Sequence, residues 1–250
     1  MKIMTEVKRI ENIPSLLFYE DMSVNKPLVL IVHGFNNDKY EGTKLAMKLA
    51  QKDFAVLCID IEKHGERYDG FMDKIDSDVA FGNVLFKILE NTSYDLERVI
   101  KAVGSHRAVD TRKVGLIGIS HGANVCNYFI SKHDMVSCVS ILGSPNFVKL
   151  LSYSMEKNSE EGYTTSEEKE LLAYVTKLNP FDRLKTCNTP LLLINGSKDD
   201  NVPYSFSESL YIEVADSEVV DFILEDEFHY VSRTMEEKAI EWTMHHMNKV

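Results

Sequence analysis

The fold of this 250-residue chain is decided by one stretch, Val114-Gly-Leu-Ile-Gly-Ile-Ser-His-Gly-Ala-Asn124. It places the pattern G-x-S-x-G (Gly118, Ser120, Gly122) directly after an apolar, strand-like run and directly before a helix-like run. A serine at such a turn stands clear of the sheet, and the first N–H groups of the new helix point toward whatever the serine attacks. The five letters occur by chance in many chains, but the flanking patterns make this occurrence specific. The stretch therefore predicts a nucleophilic serine.

Apolar runs alternate with helical patterns along the rest of the chain. Uninterrupted apolar runs are typical of strands buried on both faces, and they occur at 28–32, 55–59, 114–118, 136–142, 191–194 and 219–224. Helical spacing occurs at 42–52, 79–103, 123–132, 166–177, 204–214 and 231–247. Two weaker segments, 3–10 and 16–20, suit an antiparallel hairpin at one edge. The alternation predicts an α/β fold, with a mostly parallel twisted sheet of about eight strands and helices on both faces.

One interval interrupts this alternation. Residues 143–190 separate the fourth and fifth strand-like runs and are strongly acidic, with Glu156, Glu160, Glu161, Glu167, Glu168 and Glu170. Loops of this length are uncommon in compact domains unless they are functional. Residues 166–177 have helical spacing with Ser166 as a cap, so we predict a small helical insertion over the carboxyl edge of the sheet. The alternative is a disordered acidic loop, which the composition also permits.

Composition limits the classes of partner and compartment. The chain has 28 Lys and Arg against 39 Asp and Glu, a net charge of −11, which disfavours nucleic acid and anionic membrane surfaces as partners. We expect no signal peptide and no membrane insertion, because residues 1–20 lack a continuous apolar stretch and no apolar window reaches a spanning length. The four cysteines lie in or beside apolar runs without a CxxC pair, which favours buried thiols in the cytoplasm.

A serine hydroxyl at neutral pH needs a base, and the base needs an orienting partner. In an open parallel sheet, all three groups are expected on loops at the carboxyl ends of strands. The loop after the fifth run carries Asp199 and Asp200, and the loop after the sixth carries His229. The order Ser120, Asp, His229 is the one expected on this kind of sheet. We predict His229 as the base and favour Asp199 as the acid because it lies nearer the strand end, although both aspartates also suit simple turn formation.

The first strand-like run ends in His33-Gly34-Phe35, a second segment that bears on catalysis. A glycine here allows the backbone to approach the serine, so the N–H of Phe35 is predicted to face a developing oxyanion. The N–H of His121, next to the nucleophile, is the second predicted donor. An ordinary turn is the alternative for His33-Gly34. We interpret His64, after the second run, as structural because the predicted triad already contains a base.

In combination and in chain order, these pieces resemble the α/β-hydrolases, and within them the small esterases related to dienelactone hydrolase and to the catalytic domain of the prolyl oligopeptidases. The similar pieces are His33-Gly34-Phe35, Asp60 with His64-Gly65-Glu66-Arg67, Gly118-Ile-Ser-His-Gly122, Gly196-Ser-Lys-Asp199 with Val202-Pro203, and Phe228-His229. The resemblance implies the α/β-hydrolase fold, with Ser120 as nucleophile, Asp199 as triad acid and His229 as base. Its Gly-x-x-Asp-x-x-Val-Pro pattern selects Asp199 over Asp200. Many relatives have a Gly-His-Phe-like final motif, whereas Glu227-Phe228 precedes the histidine here.

The resemblance implies a serine carboxylesterase that hydrolyses small to medium acyl esters through a covalent acyl-enzyme. Its partner would be a small-molecule ester, with no cofactor and no metal. The rival interpretations are a thioesterase, an aminoacyl-peptide hydrolase, and a non-catalytic binding protein on the same fold. We expect residues 1–250 to form one α/β-hydrolase domain, with 145–188 as a cap insertion that shapes the acyl or alcohol pocket.

Overall fold

A computed structural model describes residues 2–20, 25–104, 109–158, 165–215 and 219–249. Within these ranges eight strands form one sheet: β1 (Met4–Ile10), β2 (Ile13–Tyr19), β3 (Lys26–Val32), β4 (Ala55–Ile59), β5 (Val109–Ile119), β6 (Ser137–Ile141), β7 (Leu191–Gly196) and β8 (Val220–Glu225). Their order is β1-β2-β4-β3-β5-β6-β7-β8. β2 pairs antiparallel with β1 and β4, and all other neighbours are parallel. The predicted mostly parallel sheet with an edge hairpin is confirmed.

Helices cover both faces of this sheet. They are α1 (Thr43–Ala50), α2 (Asp78–Val103), α3 (His121–Ile130), α4 (Phe147–Asn158), α5 (Ser166–Leu178), α6 (Phe181–Leu184), α7 (Ser205–Glu213) and α8 (Arg233–Met247). Along β3, Leu28 and Leu30 belong to the core under α2 and α3, whereas Val29 and Ile31 belong to the core under α1 and α8. Because both faces of the strand are covered, its sequence is an unbroken apolar run.

Strand β5 begins earlier than its apolar run. The sequence predicts a strand from residue 114, whereas β5 starts at Val109 and includes Arg112 and Lys113. Its pairing with β3 shifts register between Pro27 and Leu28. The first residues of β5 therefore form an irregular extension, where polar side chains interrupt the apolar pattern that marks the buried part of the strand.

The interval between β6 and β7 is helical where the structure describes it. α5 corresponds to the helix predicted at 166–177, but its N-cap is Thr165, whose side chain and that of Glu168 form a capping box, so the predicted Ser166 cap is wrong. The sequence patterns predict neither α4 nor α6. A disordered loop is the wrong interpretation for these three helices, while Glu160 and Glu161 lie outside the described residues. α5 packs into the core through Leu171 and Val175.

In the part of the chain that is described, no helix combines the length and the apolar character needed to cross a membrane. All four cysteines are free thiols. Cys58, Cys126 and Cys138 are buried and Cys187 is partly buried. Burial raises the pKa of the Cys58 thiol, which keeps it protonated and makes it an ordinary small core residue.

Candidate active site

Ser120 lies in the sharp turn between β5 and α3. Its backbone has φ 51° and ψ −114°, a conformation that is costly for a residue with a side chain. The turn is held on both sides, because the Ser120 N–H donates to the carbonyl of Ile141 at 2.8 Å while the Ser120 carbonyl accepts the N–H of Ala123 at 2.9 Å. These bonds keep the strained turn in place at the carboxyl edge of the sheet.

Gly118 and Gly122 are required by the close packing of α3. A Cβ on Gly118 would lie 2.4 Å from the Cα of Ala123, and a Cβ on Gly122 would lie 2.1 Å from the carbonyl oxygen of Val32. Real Cβ atoms do not approach other atoms so closely. The two glycines of the G-x-S-x-G pattern therefore let α3 lie directly on β5 and β3.

Three side chains from separate loops form one hydrogen-bonded chain. Ser120 Oγ lies 2.8 Å from His229 Nε2, and His229 Nδ1 lies 2.7 Å from Asp199 Oδ2. The carboxylate of Asp199 is fully buried, whereas the His229 side chain is 24% exposed. The other carboxylate oxygen, Asp199 Oδ1, accepts the N–H groups of Asn201 and Val202, both at 2.9 Å. The structure thus brings together the three residues that the sequence predicts for a triad, with the carboxylate fixed by its own loop.

Asp200, the other candidate acid, points away from this chain of hydrogen bonds. Its side chain is 78% exposed. Its backbone carbonyl accepts hydrogen bonds from Tyr153 Oη at 2.9 Å and Lys157 Nζ at 3.0 Å, both on α4. Asp200 therefore connects the loop that carries Asp199 to the helical insertion.

The peptide between Gly34 and Phe35 is held by a neutral histidine. His33 Nδ1 lies 2.8 Å from the Gly34 carbonyl oxygen, and the N–H of Ile61 donates to His33 Nε2 at 3.1 Å. Since Nε2 accepts, Nδ1 carries the proton and donates. Burial lowers the pKa of His33 to about 4, so the ring is neutral at pH 7. The Gly34 carbonyl and the Phe35 N–H belong to one planar peptide and point in opposite directions, so the histidine sets the direction of that N–H.

Two backbone N–H groups beside Ser120 are open to an acceptor. His121 is the first residue of α3, where N–H groups have no intrahelical acceptor. The N–H of Phe35 makes no hydrogen bond to any residue in the described ranges. Phe35, Ser120 and His121 line the same cavity. The glycine was expected to allow the backbone to approach the serine, but a Cβ on Gly34 would lie at an ordinary 3.5 Å from Ser120 Cβ, so this approach does not depend on it.

Two more imidazoles pack around the Phe35 ring. The ring centroids of His64 and His121 lie 4.8 and 6.2 Å from that of Phe35. Burial lowers the pKa of His121 to about 3 and also lowers the pKa of His64, so both rings are neutral at pH 7. His64 Nδ1 is 2.8 Å from the Glu62 carbonyl oxygen. Both rings therefore support Phe35 as packing groups.

A buried ion pair involves Lys39, which lies on the loop after β3 that also carries Phe35. Lys39 Nζ lies 3.0 Å from Asp60 Oδ2 and 2.8 Å from Glu66 Oε1. The side chains of Lys39 and Asp60 are 2% and 0% exposed. Asp60 also accepts the backbone N–H groups of Lys39 at 2.8 Å and Glu66 at 3.0 Å. This cluster connects the loop after β3 to the loop after β4. The sequence does not predict this role of Lys39, because its partner Asp60 lies on the loop after the neighbouring strand.

Two cavities meet at Ser120. The first, here the α4 cavity, has a volume of about 490 Å³ and lies between α2, α3 and α4. Its apolar lining consists of Phe35, Phe81, Leu85, Phe86, Leu150, Leu151, Met155 and Val202. The second, here the α1 cavity, has a volume of about 330 Å³ and lies between α1 and α8, with Glu41 and Glu236 in its wall. His229 borders both cavities, so groups on either side of Ser120 can reach the imidazole.

Comparison with known proteins assigns the family. The sequence matches the prolyl oligopeptidase family over residues 43–248. The chain belongs to this family. A relative from Bacillus subtilis (strain 168), named "Putative esterase YitV", is 26% identical over 254 residues, which cover 96% of this chain and 98% of that protein.

Solved structures show the same fold. TT1662 from Thermus thermophilus has a TM-score of 0.78 at 18% identity, covering 99% of both chains. The acylaminoacyl peptidase from Pyrococcus horikoshii has a TM-score of 0.70 at 18% identity and covers 99% of this chain, which spans only 41% of that peptidase. This member of the prolyl oligopeptidase family thus has the α/β-hydrolase fold and is a serine hydrolase.

Proposed function

We propose that this serine hydrolase is a carboxylesterase that acts on small to medium acyl esters through a covalent acyl-enzyme. One observation carries the proposal: Ser120, His229 and Asp199 form a continuous hydrogen-bonded chain where two cavities meet. His229 Nε2 takes the hydroxyl proton as Ser120 Oγ attacks the ester carbonyl carbon. Asp199 accepts the Nδ1 proton in a hydrogen bond, which orients the ring and stabilises the imidazolium that forms.

The negative charge that develops on the carbonyl oxygen is received by the N–H groups of Phe35 and His121. His229 then donates its proton to the alcohol oxygen, and the alcohol leaves. A water molecule, deprotonated by His229, attacks the acyl carbon and releases Ser120 with the carboxylic acid. Every step uses groups of this chain and water, so the proposed reaction needs no cofactor or metal.

The α4 cavity is proposed to hold the acyl chain. Its apolar lining and volume of about 490 Å³ suit a small to medium chain. α4 forms one wall through Leu150, Leu151 and Met155. On this basis residues 145–188 are proposed as a cap insertion on a single α/β-hydrolase domain.

The free cysteines support a reducing compartment, and we propose the cytoplasm.

Hydrolysis of amides is the second candidate function. It is favoured by membership of a peptidase family and by the fold shared with the acylaminoacyl peptidase from Pyrococcus horikoshii. The esterase proposal is favoured by the Bacillus subtilis relative, which carries an esterase name. Rates on p-nitrophenyl butyrate and on butyryl-p-nitroanilide, which share the acyl group, separate the two candidates. A thioester of the same acid distinguishes a thioesterase.

The deciding experiment replaces Ser120 by alanine. Because a triad acts as a unit, Ser120→Ala is expected to lower kcat for p-nitrophenyl butyrate by about 10⁴-fold or more. A fluorophosphonate probe is expected to label the wild-type protein at Ser120 and to leave the variant unlabelled. Turnover retained in the variant would refute the nucleophile assignment. An unlabelled wild-type protein would favour a binding function on this fold.

A further inference from the structure

The α1 cavity contains a carboxylate with an uncompensated charge. Glu41 Oε2 accepts the N–H of Gly34 at 2.7 Å, and Oε1 accepts Asn37 Nδ2 at 2.5 Å. Both donors are neutral. Across the described ranges no lysine or arginine forms an ion pair with Glu41. Although the residue as a whole is exposed, Glu41 lines the concave space beside Ser120.

The cations around Glu41 are engaged elsewhere. Glu236, the other carboxylate of the α1 cavity, is paired with Lys44 at 2.8 Å and Lys48 at 3.0 Å. Lys39, two residues from Glu41, is held by Asp60 and Glu66. Partial burial raises the pKa of Glu41 despite its two hydrogen bonds. Its charged form is therefore incompletely stabilised, and an incoming cation would lower that cost.

The charge around Ser120 disfavours anionic ligands. Within the described residues, neither cavity has a lysine or an arginine in its lining. An anionic group on either side of the serine would therefore meet no opposite charge. The net charge of −11 acts in the same direction, since it attracts cations to the protein.

The α1 cavity also has aromatic side chains in its lining. Phe35 and Tyr230 line it together with Glu41. Aromatic faces attract ammonium groups, most strongly where water is partly excluded. A carboxylate and two aromatic rings around one space are a combination that suits a cation and gives no advantage to a neutral group of the same shape.

We propose that the α1 cavity binds an ammonium group on the alcohol arm of the ester, with Glu41 as the specificity-determining residue. The inference rests on the proposed esterase function. An ester has two arms on either side of its carbonyl carbon, and the two cavities lie on either side of Ser120. With the acyl chain against the apolar side chains of the α4 cavity, whose lining also includes Asp78 and Asn124, the alcohol arm enters the α1 cavity and places its positive charge beside Glu41.

The test compares two esters of one acid. Butyrylcholine and 3,3-dimethylbutyl butyrate share the acyl arm and the shape of the alcohol arm, and they differ by a positive charge. The wild-type protein is expected to favour the cationic ester about tenfold in kcat/KM at low ionic strength. Added salt is expected to reduce the preference, because a partly exposed charge pair is screened.

The variant Glu41→Gln removes the charge and keeps an oxygen that can accept the Gly34 N–H. Any disturbance of that loop acts on both esters and cancels in the ratio of their kcat/KM values, which is expected to fall to about one. The matched control is Glu97→Gln. Glu97 is paired with Lys101 on α2 and lines neither cavity, so this variant changes the net charge equally and is expected to retain the wild-type ratio.

Three results would overturn the inference. The first is a wild-type ratio of kcat/KM values for the two esters near one. The second is a preference for the cationic ester that persists in Glu41→Gln, and the third is that neither ester is hydrolysed although p-nitrophenyl butyrate is. In all three cases the esterase proposal stands, because ester turnover by Ser120 is still observed. Absence of all ester turnover together with absence of fluorophosphonate labelling would overturn the esterase proposal, and this inference with it.

Discussion

The two sides of Ser120 are built in opposite ways. On one side, His229 connects side chains from three loops and remains 24% exposed. On the other side, the peptide before Phe35 is held by the buried His33, and the same loop carries Lys39, which forms a buried pair with Asp60. In the proposed reaction, the first side must gain and lose protons, while the second must hold a donor in a constant direction. Exposure thus separates the two histidines of the site: the partly exposed His229 is proposed to exchange protons, and the buried, neutral His33 is proposed to position a peptide.

The largest effect, a loss of kcat, is expected when Asp199 is changed. Asp199→Asn should lower kcat for p-nitrophenyl butyrate by about 10⁴-fold, because an amide favours the wrong tautomer of His229. Asp200→Asn is the matched control and should change kcat by less than about threefold, since its side chain is solvent-exposed. Steady-state kinetics on both variants check this. Equal losses would mean that Asp199 has no special relation to the imidazole.

The next largest effect is expected for the buried pair of Lys39 and Asp60, and it is an effect on the free energy of unfolding. Lys39→Met leaves the carboxylate of Asp60 buried without its cation, which should lower the free energy of unfolding by about 3–5 kcal/mol. Lys63→Met breaks the surface pair with Asp69 and should lower it far less. Urea unfolding of both variants measures the difference. Similar values for the two would show that the buried pair contributes no more than a surface pair.

A smaller effect is expected from the histidine that positions the Phe35 N–H. His33→Ala should lower kcat by about 10- to 100-fold with little change in KM. This loss is no larger than the one expected from removing an oxyanion donor altogether. His33→Asn retains an N–H group near the position of Nδ1 and should recover part of the activity. If the two variants are equally impaired, the hydrogen bond to Gly34 is not what orients the peptide.

The smallest effect is a dependence of stability on pH. Burial lowers the pKa of His33 to about 4 and that of His121 to about 3, whereas an unfolded histidine titrates near pH 6.5. Below that pH the unfolded chain binds protons that the folded chain does not. Stability is therefore fully present above about pH 6.5 and is lost as the pH falls toward the folded pKa values.

At about pH 5.5 each such histidine should lower the free energy of unfolding by about 1.4 kcal/mol. In His33→Asn the loss between about pH 7.5 and pH 5.5 should be smaller by that amount. Urea unfolding at the two pH values checks this. An unchanged pH dependence in the variant would contradict the neutral, buried state of His33.

Much of the fold can be predicted because its causes are local. Strands β3, β4 and β7 are buried on both faces, and their sequences are therefore uninterrupted apolar runs that can be recognised. The turn at Ser120 is readable because only glycines fit the contacts of α3. Thr165 and Glu168 also form a pattern that the sequence contains, since a threonine followed three residues later by a glutamate is typical of a capping box.

The rest of the site depends on contacts between distant segments. Lys39 meets Asp60 only once β3 and β4 are paired in register, and Glu41 meets the N–H of Gly34 only once the loop after β3 folds back on itself. No periodicity or spacing in the polar loop distinguishes these two residues from solvated charges. The order of Ser120, Asp199 and His229 was readable because parallel strands bring their carboxyl ends to one edge. Their catalytic roles remain predictions for the variants described above.

The two cavities on either side of one hydroxyl have a consequence for how products depart. In the proposed reaction, the alcohol leaves through the α1 cavity while the acyl group is still tethered on the opposite side of Ser120. The vacated space then admits the second nucleophile. If a small alcohol is supplied in excess, it competes there with water, and the acyl group passes to it as a new ester. In the proposed reaction, the occupant of the α1 cavity thus determines whether the ester is hydrolysed or exchanged.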